Sequence, residues 1–94
     1  MNYRSPKILR AAADSPRCFA CLRGNDGTVV AAHSNQQRDG KGMGVKAHDY
    51  RVAFVCSECH TDIDHAKDRE LSQQLWEAAH RKTIGWLFES GTVK

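Results

Sequence analysis

Apolar residues fall along this chain in short, separated groups, and their spacing predicts five elements. Ser5 can cap a helix with Pro6 at its first position, and Ile8, Leu9 and Ala12 recur at helical spacing until Asp14, Ser15 and Pro16 stop it. Cys18 to Cys21 read as a tight turn and Gly24 to Gly27 as a second one. Thr28 to Ala32 then read as a short strand ending at His33, and Arg51 to Val55 as a second strand leading into Cys56. Ser57 can cap a helix that carries Cys59, His60, Ile63 and Asp64. The last stretch, from about Arg69 to Glu89, places Leu71, Leu75, Ala78, Ala79, Trp86 and Leu87 near one face, with Gly91 as its stop signal. Gly85 is expected to weaken its final turns. Trp76 and Trp86 are read as core, and His48, His65 and His80 as surface residues, His65 being a possible substitute ligand.

Between the strands, Ser34 to Asp49 is polar and glycine-rich, with Gly40, Gly42 and Gly44 at its centre and Met43 as an expected anchor on the core. No regular element fits it. A loop this long in a small domain is usually functional.

At 94 residues there is room for one domain, residues 1–94, with a core over about 17–67 and a C-terminal helix over about 69–90. The expected class is α+β: a β-hairpin, a short N-terminal helix and a longer C-terminal one. A hydrophobic fraction of 40% and a charged fraction of 27% suit a thinly buried globular protein rather than a disordered one. No segment has the pattern of a secretory signal or the length of a bilayer span, so a soluble, cytoplasmic protein is expected.

In that reducing compartment the four cysteines, paired as Cys18–Cys21 and Cys56–Cys59, are candidate metal ligands. Each Cys-x-x-Cys turn presents two thiolates, and two such turns make the tetrahedral set that Zn²⁺ favours. The thirty-four residues of 22–55 between the pairs exceed the gap of a compact zinc ribbon, so the strand and the glycine loop are an insertion between two knuckles. Two alternatives share the spacing. The pairs can be redox dithiols, and Cys56 to His60 also match the attachment site of c-type haem, which would require export and leave Cys18 and Cys21 without a role.

The formal charge of +3 is unevenly spread: residues 1–56 hold nine Lys/Arg against four Asp/Glu, and residues 57–94 hold five against seven. The basic half carries the glycine loop, whose Arg38, Lys41 and Lys46 are candidate phosphate contacts that would position a nucleic acid without reading its sequence. The competing account is an ordinary solvated loop.

A second constellation follows the second knuckle. His60 and Asp64 stand four apart on the expected helix, so they project from one face and can grip a divalent cation with open positions for water and phosphate. His33, leaving a strand that must pack near the knuckles, can then face the cation as a general base. The bland alternatives are a solvated polar face for His60 and Asp64 and an ordinary histidine at position 33.

Taken together, Cys18-x-x-Cys21, Ala32–His33, the run from Gly42 to Asp49 and Cys56-x-x-Cys59–His60 resemble the small phage-encoded HNH-type (ββα-metal) nucleases, including the prophage nuclease family. The Gly-Met-Gly-x-Lys-x-x-Asp loop is also similar to that of the RecA-dependent recombination nucleases of phages. The resemblance implies a treble-clef zinc finger in a bacterial host cell, with His33 as base, His60 as metal-binding histidine and Asp64 where many relatives carry a further ligand. It makes Asp49 the candidate for the role of the middle Asn. It implies a metal-dependent endonuclease with structural Zn²⁺ and catalytic Mg²⁺ or Mn²⁺, acting on DNA in phage recombination or processing, with a recombination protein as a possible partner. Ala32 departs from the pattern, since that position often holds a metal ligand. The alternatives are a non-catalytic zinc module that binds nucleic acid or a recombination protein, and a purely structural zinc domain.

Overall fold

The computed structural model describes residues 2–36, 39–42 and 44–93. In chain order these form α1 (Pro6–Ala11), a 3₁₀ turn (Ala12–Asp14), β1 (Val30–His33), β2 (Val52–Val55), α2 (Ser57–His65) and α3 (Arg69–Glu89). This is a small α+β fold: two antiparallel strands with three helices around them. Among the described residues no helix is long and apolar enough to cross a membrane.

The first helix starts as its sequence requires, with the Ser5 hydroxyl accepting from the Ile8 N–H and Pro6 at the first turn. The strand before the loop is shorter than expected and begins at Val30 rather than Thr28. It pairs with β2 so that Val30 faces Val55 and His33 faces Val52. The cap expected at Ser57 belongs instead to Cys56, whose extended backbone occupies the N-cap position of α2 without a side-chain hydrogen bond. Gly85 does not end α3, which runs on to Glu89 and stops at Gly91, whose φ of 79° suits a residue without a Cβ.

All four residues of β2 are buried, and α3 covers them, with Phe54, Val52, Val55 and Leu87 at the centre of the core. Trp86 closes one end, its ring edge-on to Phe54 at 6.1 Å and tilted on Phe19 at 6.4 Å.

The buried face of α3 differs from the one its leucines suggest. Leu71 and Leu75 are about half exposed and Ala78 is exposed, whereas Ser72, Trp76, Ala79, His80, Thr83 and Leu87 point inward. The reason lies in the main chain of β2. In a two-stranded sheet the outer edge of a strand carries unpaired N–H and C=O groups, and burying them unpaired is costly. Thr83 Oγ1 accepts from the Phe54 N–H at 2.9 Å, the Phe19 N–H donates to the Phe54 carbonyl at 2.9 Å, and His80 Nδ1 donates to the Val52 carbonyl at 2.6 Å. Ser72 does the same for the Ile63 carbonyl at 2.7 Å. His80, expected at the surface, is therefore a buried residue stacked on Trp76, with ring centroids 5.0 Å apart.

Two outcomes follow. Thr83→Val leaves the Phe54 N–H buried without an acceptor, so urea denaturation should show a loss of about 1–3 kcal/mol, against a smaller loss for Thr83→Ser. Burial holds the His80 imidazole below its ordinary pKa, and the nearby Arg51 charge acts in the same direction, while the bond to Val52 and the charges of Glu77 and Asp39 oppose them. The unfolded chain thus takes up a proton at His80 more readily than the folded one, so stability is complete above the ordinary histidine pKa and falls as pH drops below about 6.5. Melting temperatures should decline more steeply over that range in the wild type than in His80→Gln, and parallel slopes would exclude His80 as the source.

Candidate functional site

The region between Pro16 and Arg23 folds into a knuckle around Cys18. The Cys18 N–H donates to the Arg23 carbonyl and the Leu22 N–H to the Cys18 carbonyl, both at 2.9 Å. Leu22 adopts a φ of 65°, a left-handed conformation that costs a residue with a Cβ roughly 1–2 kcal/mol and that glycine would adopt freely. This tight geometry aims the Ala20 and Cys21 N–H groups at Cys18 Sγ, each at 3.4 Å. On the other side of the site, the end of β2 delivers Cys56 and the first turn of α2 delivers Cys59.

All four cysteines are free, and their sulfurs lie within 4.8 Å of one another. Four thiolates 2.3 Å from one tetrahedral ion stand roughly 3.8 Å apart, so the set fits a metal ion such as zinc. The electrostatics point the same way. Burial pushes the Cys18 thiol up, but N–H donors from Cys21, Cys56 and Ala20 outweigh it and bring it down to about 6. Burial, then hydrogen bonding and charge from the other sulfurs, push Cys59 up. Crowded sulfurs that cannot all ionise alone can do so around a dication. Arg23 adds a positive charge at the rim, with its Nη2 3.7 Å from Cys56 Sγ and 3.2 Å from Glu58.

The second constellation is divided between two places. On α2, His60 Nε2 lies 3.2 Å from Asp64 Oδ2, with both side chains partly exposed. Among the described residues no third His, Cys, Asp or Glu joins this pair closely enough to complete a cation site. His33 and Asp64 line one cleft between β1 and the α2–α3 pair, with Ala32, Gln36 and Trp76 among its other walls; the His60 ring is not one of them. The Trp76 indole N–H donates to the Ala32 carbonyl at 2.9 Å, which fixes the strand end that carries His33.

Asp49 joins His33 directly. Its Oδ1 is 2.8 Å from His33 Nε2, and the carboxylate is almost wholly buried. The same oxygen receives Arg4 Nη1 at 3.1 Å, and Oδ2 receives the Ser5 N–H at 2.7 Å. Burial raises the Asp49 pKa, but the bonds from His33 and Ser5 and the charges of His33 and Arg4 outweigh it, so the carboxyl lies below its ordinary value and is ionised at neutral pH. An ionised carboxylate can only accept, so His33 Nε2 carries a proton directed at Asp49, and Nδ1 is the ring nitrogen outside that bond.

The N-terminal arm holds the glycine loop in place, a role that the sequence pattern does not signal. Asn2 Nδ2 donates to the carbonyls of Gly40 and Lys46, and Arg4 to those of Ala47 and Lys46. From the other side, Arg51 pairs with Asp39 at 2.9 Å and with Glu77 on α3, its guanidinium lying over the Trp76 ring. Ser34 Oγ also donates to Asp39. Lys46 projects from this framework into an open groove shared with His33 and Arg10. Lys41 is half-buried and makes no ion pair among the described residues. Arg38 and Met43 lie outside the described residues.

No protein-family model, curated protein or solved structure matches this chain.

Chelation tests whether the cysteine cluster holds an ion. Bound zinc contributes about 10–16 kcal/mol in small zinc domains, as much as the whole stability of about 5–15 kcal/mol of an ordinary domain. A strong chelator should abolish the thermal transition, added zinc should restore it, and Cys56→Ser should prevent both folding and zinc retention. A transition that chelation leaves unmoved would assign the thiols no structural metal.

Proposed function

We propose that this chain is a zinc-stapled endonuclease that hydrolyses DNA phosphodiester bonds with the help of a second divalent cation. The observation that supports this reading best is the His33–Asp49 contact of 2.8 Å, made at the wall of a cleft that also receives Asp64. In this account the scaffold is a treble clef: the Cys18 knuckle and the Cys56–Cys59 turn share one zinc, and the strands and α2 make the ββα unit of the HNH-type nucleases that the sequence resembles.

Hydrolysis needs a water nucleophile, neutralisation of charge on the phosphate and help for the departing 3′ oxygen. His33 Nδ1 accepts the proton of the attacking water as general base. Asp49 holds the ring with Nε2–H directed at its carboxylate and stabilises the imidazolium that forms. Arg4 and the Ser5 N–H fix the carboxylate in turn, so the base is oriented from the first residues of the chain. Mg²⁺ or Mn²⁺, when bound by His60 and Asp64, would supply Lewis-acid neutralisation of the phosphate and the leaving oxygen. Lys46 and Lys41, together with Arg38, hold neighbouring phosphates. This chemistry belongs in the cytoplasm of a phage-infected or lysogenic bacterium, in DNA recombination or processing.

One observation favours a second reading. Ala32 stands where the HNH-type nucleases that the sequence resembles often supply a metal ligand, and among the described residues His60 and Asp64 have no third ligand beside them. A chain that kept the zinc scaffold and lost turnover would bind nucleic acid or a recombination protein without cutting.

Nicking of supercoiled plasmid with Mg²⁺ or Mn²⁺ separates the two. General-base catalysis contributes about 10²–10⁴-fold, so His33→Ala should lose at least about a hundredfold in rate, and Asp49→Asn should also be strongly slowed. Cleavage that persists unchanged in His33→Ala would contradict the assignment of the base.

A further inference from the structure

The residues on either side of Asp49 build a feature that neither the thiol cluster nor the His33–Asp49 pair uses. The Arg51 N–H donates to the His48 carbonyl at 2.9 Å, closing a turn with Asp49 and Tyr50 at its centre. The turn buries the Asp49 carboxylate and leaves Tyr50 47% exposed. His48 and Tyr50 stack almost parallel, with centroids 4.8 Å apart and 7° between their planes. The ring of Tyr3, a residue itself 52% exposed, leans on Tyr50 with centroids 5.7 Å apart and 49° between the planes.

The backbone holds this cluster in place. The Tyr3 N–H donates to His48 Nδ1 at 2.9 Å, and the Asp49 N–H donates to the Tyr3 carbonyl at 3.0 Å. With Nδ1 accepting, the His48 ring is the Nε2–H tautomer. Aromatic side chains normally bury most of their surface, and the core of this protein is closed by other rings. A fixed group of three rings in which both tyrosines are about half exposed is an aromatic surface of the kind that marks a binding site.

The charges nearby identify the chemistry of that occupant. On the same loop Lys41 and Lys46 make no ion pair among the described residues, while Asp39 is engaged by Arg51 and Asp49 by Arg4 and His33. The segment therefore offers half-exposed aromatic rings and, on the same loop, lysines without an ion pair among the described residues, which complements a ligand with a flat ring and an anionic link. A nucleotide has both. A base inside a duplex has its faces covered by its neighbours, so only an unpaired base can stack here.

We propose that Tyr3, His48 and Tyr50 form a stacking platform for an unpaired base of a nucleic-acid strand whose adjacent phosphates lie on Lys41 and Lys46. The inference rests on the nuclease reading for its substrate class and specifies the form of that substrate: single-stranded or locally opened. Because Asp49 lies between His48 and Tyr50 in the chain and contacts His33, the platform would hold the strand next to the proposed base.

The test uses the zinc-loaded full chain and a fluorescein-labelled oligothymidylate, an abasic strand of equal length and a blunt duplex, followed by anisotropy. The wild type should bind the oligothymidylate more tightly than the other two. Tyr50→Ala should weaken that binding about tenfold while changing the abasic strand by less than roughly twofold, and Tyr50→Phe should retain it, because stacking needs the ring and not the hydroxyl. Lys46→Ala should weaken all three ligands alike and flatten the salt dependence. An unmoved zinc content and melting temperature keep Tyr50→Ala interpretable, and if it unfolds, Tyr3→Ala and Tyr3→Phe replace it. Equal affinity for oligothymidylate and abasic strand, or Tyr50→Ala binding like the wild type, overturns the platform. Plasmid nicking measured in parallel separates the two claims. Nicking without ring-dependent binding leaves the nuclease reading standing and removes the platform, whereas ring-dependent binding without nicking does the reverse.

Discussion

Four sulfurs within 4.8 Å of one another, none in a disulfide, are the constraint around which this fold is organised. Two come from the knuckle before β1 and two from the junction of β2 and α2, so whatever holds them together ties the two ends of an insertion that contains both strands and the whole glycine loop. Thiolates at this spacing repel one another, and the knuckle already lowers the pKa of one of them through amide donors. A bound dication would turn that repulsion into attraction and fix where β1 emerges. His33 stands at the other end of β1.

Beyond the cluster, the structure depends on polar side chains that complete the main chain of β2. A strand with only one neighbour has an outer edge, and α3 covers that edge with His80 and Thr83 rather than with its leucines. The same economy appears at the loop. Its carbonyls are met by Asn2 and Arg4, and its acids by Arg51, Arg4 and His33, so a segment without regular structure is anchored from both the N-terminal arm and α3. These anchors place Asp49 against His33, and the proposed chemistry is built on that contact.

Several parts of this arrangement are legible in the sequence. The Ser5–Pro6 start of α1, the two knuckles, the strands on either side of the loop and the end of α3 at Gly91 all follow from local rules of capping, spacing and backbone freedom. The i,i+4 pairing of His60 with Asp64 follows from helix geometry alone. What was not legible is long-range. Apolar periodicity points Leu71 and Leu75 at the core because it carries no information about hydrogen bonds that β2 still needs, and those needs turn α3 by about one residue. His80 reads as a surface histidine for the same reason, although it is buried. The arm at Asn2, Tyr3 and Arg4 has no periodicity at all, and its partners lie more than thirty-five residues away. Asp49 enters the sequence reading only through the family resemblance, and its contact with His33, sixteen residues away, carries no local sequence signal.

The claim that one zinc ion holds the two knuckles is tested most directly by zinc-edge X-ray absorption on the purified protein. The account predicts one zinc per chain with a first shell of four sulfurs at about 2.3 Å and no nitrogen or oxygen scatterer. A shell containing imidazole nitrogen or water, or protein that is folded and free of metal, would contradict it.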